Sequence, residues 1–515
     1  EPAKQKFSGG LTGDNINVKY GNVIYAFDES PAQAGVLWAG TNDGLVQVSQ
    51  DGGAHWTDVT KNLPGIPKDG VVRNIDASKW SAGKAYLTIE AHQVGDFKTY
   101  VYKTEDFGKK WMLITDGIEQ NNLNYTRCVR EDPVRQGLLY LGTESMLFVS
   151  FDDGAHWQSL MTNMPHTPMY WIDIQEEFND MVVGTYGRGI WILDDISALQ
   201  ELTPAIQKGK SYLFDIHDTY RFQPKTAIMP DFDDPSEGQD PPYGVSLNYW
   251  LNQEVKDSVH FKIINAAGDT VRTLHAAPKP GLNRLWWNLL DDSGKKLMMH
   301  TPPLFADWVP MGKAGTRPVH LGPAALLVPP GDYQVAMMVG DDTYHSSLKV
   351  MKDPDSEGTN ADIMAQHQLL TAIRADLNDV VGLVNAMELV RVQLNDLKKY
   401  AGMHTDKKAI EAAIHEVDSL ATDLEGTWIQ LKITGTGQDI VRWPAELAEQ
   451  LDYLISGVSS VDYPPTDQHK QVATILHDKT EKAKADFEQF KLNQLDPFLQ
   501  KLQEWGVGPI SLPRD

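Results

Sequence analysis

The sequence predicts a mainly β protein with an α-helical C-terminal part, in which β-propeller blades come first, a β-sandwich follows and an antiparallel helical bundle ends the chain. Three observations predict this order. A short turn of the form Ser/Thr-x-Asp-x-Gly-x-x-Trp recurs early, alternating strands come after it, and a helical spacing of apolar residues begins after Ser356. A chain of 515 residues is too long to fold around one hydrophobic core. We therefore expect three domains, at residues 1–202, 203–352 and 353–515.

Three copies of the turn lie in the same register, at residues 49–56, 104–111 and 150–157. Its residue types suit a tight link between two strands, because Asp accepts hydrogen bonds from backbone amides and Gly adopts positive φ angles. The Trp ring is expected to be buried between sheets. We therefore predict structural roles for nine residues: Asp51, Gly53, Trp56, Asp106, Gly108, Trp111, Asp152, Gly154 and Trp157.

A second layer of the repeat is an apolar strand that ends in Gly-Thr, at residues 37–41, 139–143 and 181–185. The last copy belongs to a fourth unit that lacks the Asp-containing turn. Propellers close with about four to eight blades of four strands, and about four can be counted up to Leu202. We expect the ring to be completed by residues or a partner chain outside this sequence.

The turns resemble the Asp-box (BNR) repeats of sialidases, xyloglucan-degrading enzymes and the sortilin or Vps10 ectodomain. The run from residues 11–15 to residues 186–189 most resembles bacterial secreted proteins described as sortilin-like or BNR-repeat glycosyl hydrolases, and the resemblance extends through the helical C-terminus. It implies the C-terminal half of such a protein, with further blades before it. It also implies an extracellular, cell-surface or periplasmic location.

The middle of the chain alternates apolar and polar residues, with strands predicted at residues 259–263, 285–289 and 332–337. This segment resembles the immunoglobulin-like module of flagellar hook-capping proteins, which implies a β-sandwich. The C-terminal part predicts three or four antiparallel helices. Apolar residues there recur three and four positions apart: Leu370, Ile373, Leu377, Val380, Val384 and Met387, then Ile410, Ile414, Val417, Leu420 and Leu424.

Charge and composition exclude several classes of partner. Acidic residues outnumber basic ones by 70 to 46, and the formal net charge of −24 repels nucleic acid and anionic membranes. No apolar run is long enough for a membrane span. The single cysteine, Cys128, excludes an intrachain disulfide framework and a Cys-based zinc site within this chain.

Polar residues in the loops opposite the turns are the candidate ligand-binding residues, namely Asp43, His92, Glu144, Tyr186 and Arg188. Arg188 suits a bidentate grip on a carboxylate. Asp43 and Glu144 suit an acid and base pair if they lie about 5 to 10 Å apart, as in glycosidases. Alternatively, Arg188 bonds neighbouring carbonyl groups and the carboxylates are solvated. A sialidase needs three arginines, and only Arg188 is matched.

The acidic loop at residues 231–237 is the one segment that suggests calcium, but it lacks the spacing of known calcium loops. A solvated acidic loop is the favoured interpretation. We therefore predict no metal and no cofactor.

Three functions agree with these patterns. The favoured one is a secreted or cell-surface propeller protein that binds a protein, peptide or glycan partner, within a larger assembly and without catalysis. The alternative is a secreted glycoside hydrolase that acts on a polysaccharide, which rests on the fold analogy alone. The third is a structural subunit of a surface complex.

Overall fold

The computed structural model describes residues 23–223, 238, 240–256, 258–401, 404–435 and 441–507. The chain forms two compact units, of which the first is Glu1–Asp215 with Tyr249–Asn252 and the second is Ile216–Asn248 with Gln253–Asp515. The first unit is built of β-sheets, and the second combines sheets with a helical C-terminal region. The division into three domains stays a prediction.

The first unit begins with four antiparallel sheets, in each of which the strands follow one another in chain order. The first three have four strands each, and the fourth has three strands among the described residues. The strands are β1 (Ile24–Glu29), β2 (Leu37–Thr41), β3 (Val46–Ser49), β4 (Thr57–Asp58), β5 (Val71–Ala77), β6 (Ala85–Glu90), β7 (Val101–Thr104), β8 (Trp111–Leu113), β9 (Thr126–Glu131), β10 (Leu139–Thr143), β11 (Leu147–Ser150), β12 (Gln158–Ser159), β13 (Met169–Gln175), β14 (Asp180–Thr185) and β15 (Ile190–Leu193).

Successive sheets lie face to face, with the first strand of each sheet against the first strand of the next. Three hydrophobic cores fill the spaces between them, and each core takes residues from two neighbouring sheets. This is the way in which blades are arranged in a β-propeller. The described residues thus contain four consecutive blades.

Strand β10 shows why the sequence of these strands is apolar at nearly every position. Leu139 and Leu141 belong to the core shared with the second sheet, whereas Tyr140 belongs to the core shared with the fourth. Because side chains alternate between the two faces of a strand, burial of both faces demands a continuous apolar run.

The three Asp-containing turns form the same hydrogen bonds. In the third turn, the Ser150 hydroxyl donates to Asp152 (2.8 Å), and the amides of Gly154 (2.9 Å) and His156 (2.8 Å) donate to Ser150 Oγ and Asp152 Oδ1. Gly154 has a φ of +81°, and a Cβ atom there would lie 2.4 Å from Ile114 Cδ1. The turn therefore requires glycine on both conformational and steric grounds.

The tryptophans of these turns differ in burial. Trp111 contacts Trp38 of the first sheet edge to face, and the Trp157 indole N–H donates to the Ile114 carbonyl of the second sheet. Each of these rings is thus buried against the preceding sheet. Trp56 was expected to be buried too, but its side chain is 39% exposed. It belongs to the first sheet that the structure describes, so no described sheet precedes it.

After the fourth sheet, two short helices lead to a strand that pairs with Tyr249–Leu251. The second unit contains a five-stranded sheet whose strands lie in the order Thr219–Arg221, Asp342–Lys352, Gly331–Val339, Val259–Asn265 and Thr270–Ala276, and the first two of these strands are parallel. The Ig-like topology stays a prediction. The elements are α1 (Ser197–Glu201), α2 (Pro204–Lys208), β16 (Ser211–Leu213), β17 (Thr219–Arg221), β18 (Val245–Leu251), β19 (Val259–Asn265), β20 (Thr270–Ala276), β21 (Gly281–Trp287), β22 (Gly331–Val339) and β23 (Asp342–Lys352).

The C-terminal region contains α3 (Asn360–Ala401), α4 (Lys407–Glu425), α5 (Leu447–Ser459), α6 (Asp467–Phe490) and α7 (Asp496–Glu504). The apolar residues that were predicted to share one face of α3, from Leu370 to Met387, are buried in a core that these helices share. The sequence predicts one helix from Thr466 to Trp505 that is kinked at Pro497. Instead, a π-helical turn at Lys491–Leu495 joins α6 to α7, and Pro497 lies in the first turn of α7, where proline costs little. None of the described helices is long and apolar enough to span a membrane.

Because Trp157 is buried and Trp56 is partly exposed, replacement by phenylalanine should lower the free energy of unfolding more at Trp157 than at Trp56. Trp157→Phe removes the indole N–H and leaves the Ile114 carbonyl without its donor, so the free energy of unfolding should fall by about 1 to 3 kcal/mol. Trp56→Phe should change the free energy of unfolding by less than about 0.5 kcal/mol. Urea titration followed by circular dichroism measures both. Equal losses in the two variants would contradict the packing described here.

The single thiol provides a second check on the third and fourth sheets. Cys128 lies in the core between them, and burial raises the pKa of its thiol to about 12. Reaction with Ellman's reagent at pH 8 should therefore be about a hundredfold slower in the native protein than in guanidinium chloride. Native labelling as fast as that of the unfolded chain would show that this core is open.

Candidate functional site

A β-bulge recurs near the start of the first strand of each of the four sheets. The pairing register with the second strand shifts between Ile24 and Ala26, and it shifts at the matching place in the other three sheets. One extra residue stands at each shift. These four residues, Tyr25, Arg73, Arg127 and Tyr170, are called the bulge cluster below. A bulge re-aims the side chain of the extra residue.

The four bulge side chains converge although they come from four different sheets. The Arg73 guanidinium lies 5.1 Å from the centre of the Tyr25 ring and 4.9 Å from that of Tyr170. Arg127 lies 4.7 Å from the centre of the Tyr170 ring. Each of these distances is within the range of cation–π attraction. The cluster is therefore an alternating series of aromatic rings and guanidinium groups.

Arg127 is held by two carboxylates from neighbouring sheets. Its Nη1 lies 2.5 Å from Glu90 Oε2, and its Nε and Nη2 lie 2.9 and 2.5 Å from Glu144 Oε2. The side chain is buried, and Nη2 also donates to the Tyr125 hydroxyl (3.1 Å). The positive charge of Arg127 is thus compensated within the protein.

The surroundings of Arg127 shift its own pKa and that of the neighbouring Tyr125. Burial opposes the charge of Arg127, but the hydrogen bond to Glu144 and the charge of Glu90 outweigh it and raise the pKa of the guanidinium. Burial raises the pKa of Tyr125 to about 12, with Arg127 opposing and Glu144 adding to the shift. Arg127 is therefore charged, and Tyr125 is a neutral hydroxyl, throughout the physiological range.

Arg73 differs from Arg127 in its partners. Its Nη1 donates to the Tyr25 hydroxyl at 2.5 Å, and its guanidinium lies between two rings. Among the described residues, no carboxylate forms an ion pair with Arg73, whereas Arg127, Arg130, Arg221, Arg374 and Arg391 all have one. Within the described ranges, the charge of Arg73 is therefore not neutralised by an ion pair.

The sequence-predicted residues divide into two groups. Glu144 binds Arg127, His92 stacks on Tyr125 at 4.7 Å, and the 70% exposed Tyr186 stacks on Tyr170 at 5.5 Å. These three surround the bulge cluster.

Asp43 and Arg188 form no hydrogen bond or ion pair with the cluster in the described part of the chain. Asp43 is exposed and accepts a hydrogen bond from the Thr41 hydroxyl at 2.5 Å. Arg188 is also exposed, and its backbone carbonyl accepts from the Trp191 indole. The structure therefore gives Asp43 and Glu144 separate hydrogen-bond partners.

Sequence reasoning missed the bulge cluster itself. Each bulge residue is the second or third residue of its strand, as in Thr126-Arg127 and Met169-Tyr170, and aligning the first strands of the repeats would have placed them in one column. A bulge without Gly or Pro has no further sequence signal, so their convergence was not visible.

Within the described ranges, no group of three or more His, Cys, Asp or Glu side chains is arranged to hold a metal ion. The acidic loop at residues 231–237, which was considered for calcium, lies outside the described residues. His92 has a buried Nδ1 atom without a hydrogen-bond partner, 3.9 Å from Glu90. The cluster thus offers aromatic faces and a guanidinium.

Comparison with known proteins finds low similarity throughout. No protein-family model matches the sequence, and no curated protein matches it. Among solved structures, YCF48 from Cyanidioschyzon merolae is 15% identical, with 33% of this chain and 56% of that chain covered and a TM-score of 0.25. YCF48 bound to D1 peptide is 12% identical, with 63% and 81% covered and a TM-score of 0.24.

The GH74 xyloglucanase from Xanthomonas campestris is 13% identical, with 64% of this chain and 55% of that chain covered and a TM-score of 0.28. The chain thus spans little more than half the length of that enzyme. The architecture described above rests on the strand order and the cores of this protein rather than on these likenesses.

The charge balance around Arg127 predicts a large effect of its removal. Arg127→Gln leaves Glu90 and Glu144 without their cation, so the free energy of unfolding should fall by about 3 to 5 kcal/mol. Arg188→Gln, at an exposed arginine of the same unit, is the control and should leave that free energy within about 0.5 kcal/mol. Chemical denaturation of both variants tests this, and similar midpoints for the two would rule out a buried ion pair.

Proposed function

We propose that this chain is part of a β-propeller protein that binds a partner without catalysis, and that the bulge cluster is where it binds a carboxylate group. The partner is a protein, a peptide or a glycan. The single observation that carries the proposal is Arg73, a guanidinium between two tyrosine rings that has no carboxylate partner among the described residues. A ligand carboxylate would supply the missing counter-charge.

The exposed rings beside Arg73 extend the surface for recognition. Tyr25 is 50% exposed and Tyr186 is 70% exposed, and Tyr186 continues the stack that starts at Tyr170. Tyrosine contributes a large apolar face and a hydroxyl group at a low entropic cost. Such faces stack equally well on sugar rings and on peptide side chains, so both ligand types agree with the site.

The two carboxylates that bind Arg127 support binding rather than hydrolysis. Glycosidases need two carboxyl groups of which one is free to donate a proton and the other to attack or to activate water. Glu90 and Glu144 are both bound to Arg127, which holds them as hydrogen-bond acceptors. Neither Glu90 nor Glu144 is therefore a free carboxyl group of the kind that the glycoside hydrolase alternative needs.

The outer faces of the first and fourth sheets support a larger assembly. Ile24 and Phe27 of the first sheet and Trp171, Ile190 and Ile192 of the fourth are each at least half exposed. The equivalent faces between the described sheets are buried in cores. Apolar strands of this kind require a cover, and we propose further blades, from the same protein or a partner chain. The secreted location rests on the resemblance of the turns alone.

The proposal predicts selective loss of binding when Arg73 changes. The labelled protein would be applied to arrays of acidic and neutral glycans and of acidic and neutral peptides. We expect binding to acidic members only, and we expect Arg73→Gln to weaken it at least about tenfold. Lys109→Gln is the matched control, because it removes one positive charge in an Asp-containing turn at an exposed residue. Unchanged thermal unfolding would show that both variants are folded.

The same glycans would be incubated with the protein and assayed for released reducing ends. Turnover that is lost in Glu144→Gln would establish the hydrolase alternative in place of pure binding. Equal binding of neutral and acidic members, or full binding by Arg73→Gln, would refute a carboxylate site at Arg73.

A further inference from the structure

One face of the five-stranded sheet in the second unit carries a row of two histidines and a methionine that the proposed function does not use. His275, His260 and Met338 stand on the neighbouring strands β20, β19 and β22. His260 is paired directly with His275 on one side and with Met338 on the other. Directly paired residues of antiparallel strands point to the same face, with their Cβ atoms about 4.5 to 5.5 Å apart. The three side chains therefore lie side by side.

The row lies on the more exposed face of the sheet. Val259 and Phe261, on either side of His260 in β19, are fully buried and point to the opposite face. His275 is exposed, and His260 and Met338 are half-buried. Each of the three side chains is thus in part open to solvent. Only the pairing of three strands brings these residues together, so the sequence alone predicts no metal here.

The two imidazole rings have the separation that a shared metal ion requires. Their centres lie 4.7 Å apart. An ion bound to one nitrogen of each ring at about 2.1 Å holds the ring centres about 4.5 to 5.6 Å apart, because each centre lies about 1.1 Å beyond its nitrogen. The ring planes stand at 77° to each other. The exposed His275 side chain is free to rotate, which lets both rings turn a nitrogen toward the same ion.

Ser258 orients the His260 ring. The Ser258 hydroxyl lies 3.2 Å from His260 Nε2. When the Nε2–H group donates to that hydroxyl, Nδ1 carries the lone pair that binds a metal. Histidine ligands of metal ions commonly donate from their other ring nitrogen in this way, which raises their basicity. The His275 ring contacts His260 and forms no hydrogen bond or ion pair within the ranges that the structure describes.

We propose that His260, His275 and Met338 bind a copper ion in the Cu(I) state. Imidazole suits copper and a thioether selects Cu(I), whereas Ca²⁺ and Mg²⁺ require oxygen ligands. Lys262 stands on the same face, two positions along β19 from His260. Because Coulomb repulsion scales with charge, the Lys262 ammonium repels monovalent Cu(I) half as strongly as it repels Zn²⁺ or Cu²⁺.

The test is an anaerobic titration of the full chain with Cu(I), in competition with bicinchoninate, whose copper complex is coloured. We expect the chain to retain one Cu(I) against the chelator. His275→Asn should weaken this binding at least about a hundredfold, because loss of a residue that merely supports a ligand already costs about tenfold to a hundredfold. His345→Asn is the matched control and should leave the affinity unchanged. His345 is exposed on the same face, but it pairs with Ala336 and lies outside the row.

Met338→Leu tests the identity of the ion. It removes the thioether and keeps an apolar side chain, so the Cu(I) affinity should fall at least about tenfold while the Zn²⁺ affinity changes less than about twofold. X-ray absorption of the unaltered protein with one Cu(I) should show nitrogen and sulfur ligands, and this measurement stands even if a variant fails to fold. Complete loss of copper to the chelator, Zn²⁺ binding as tight as that of Cu(I), absence of a sulfur ligand, or wild-type affinity in His275→Asn or Met338→Leu would overturn the proposal.

Discussion

Each sheet of the first unit has two apolar faces, and a sheet cannot cover its own faces. This constraint sets the rest of the architecture, because a four-stranded sheet with both faces apolar is stable only between two others. The alternation of Leu139, Tyr140 and Leu141 between two cores follows from it. So do the tryptophan contacts at two of the turns, which join the second and third sheets to the sheets before them.

Most side chains of these strands point into a core between two adjacent sheets. Few positions therefore allow a side chain to contact a sheet that is not adjacent. The bulges supply such positions. Each bulge inserts one extra residue into a first strand, and the side chain of that residue does not follow the alternation between the two faces of the sheet. Arg73 therefore reaches a ring of the fourth sheet while Val72 beside it stays in the core. Packing and the proposed recognition thus use adjacent residues of the same strand.

Much of this architecture is predictable from sequence because it repeats. The Asp, Gly and Trp positions of the turns and the paired Gly-Thr strands place the sheets, and the spacing from Leu370 to Met387 places α3. Three of the predicted ligand-binding residues, His92, Glu144 and Tyr186, surround the bulge cluster. Arg127, to which Glu144 binds, was missed, because its pairing with Glu90 and Glu144 depends on three-dimensional proximity between sheets that no local pattern encodes.

Because of the position of the bulges, the residues of the cluster can change in evolution independently of the residues that hold the sheets together. Replacement of Tyr25, Arg73 or Tyr170 alters charge and shape where the four sheets meet, while the residues that hold the sheets together stay as they are. Under the proposed function, specificity can thus diverge among descendants of one scaffold at these three columns of an alignment, without loss of foldability. A family that shares these sheets should vary most in those columns.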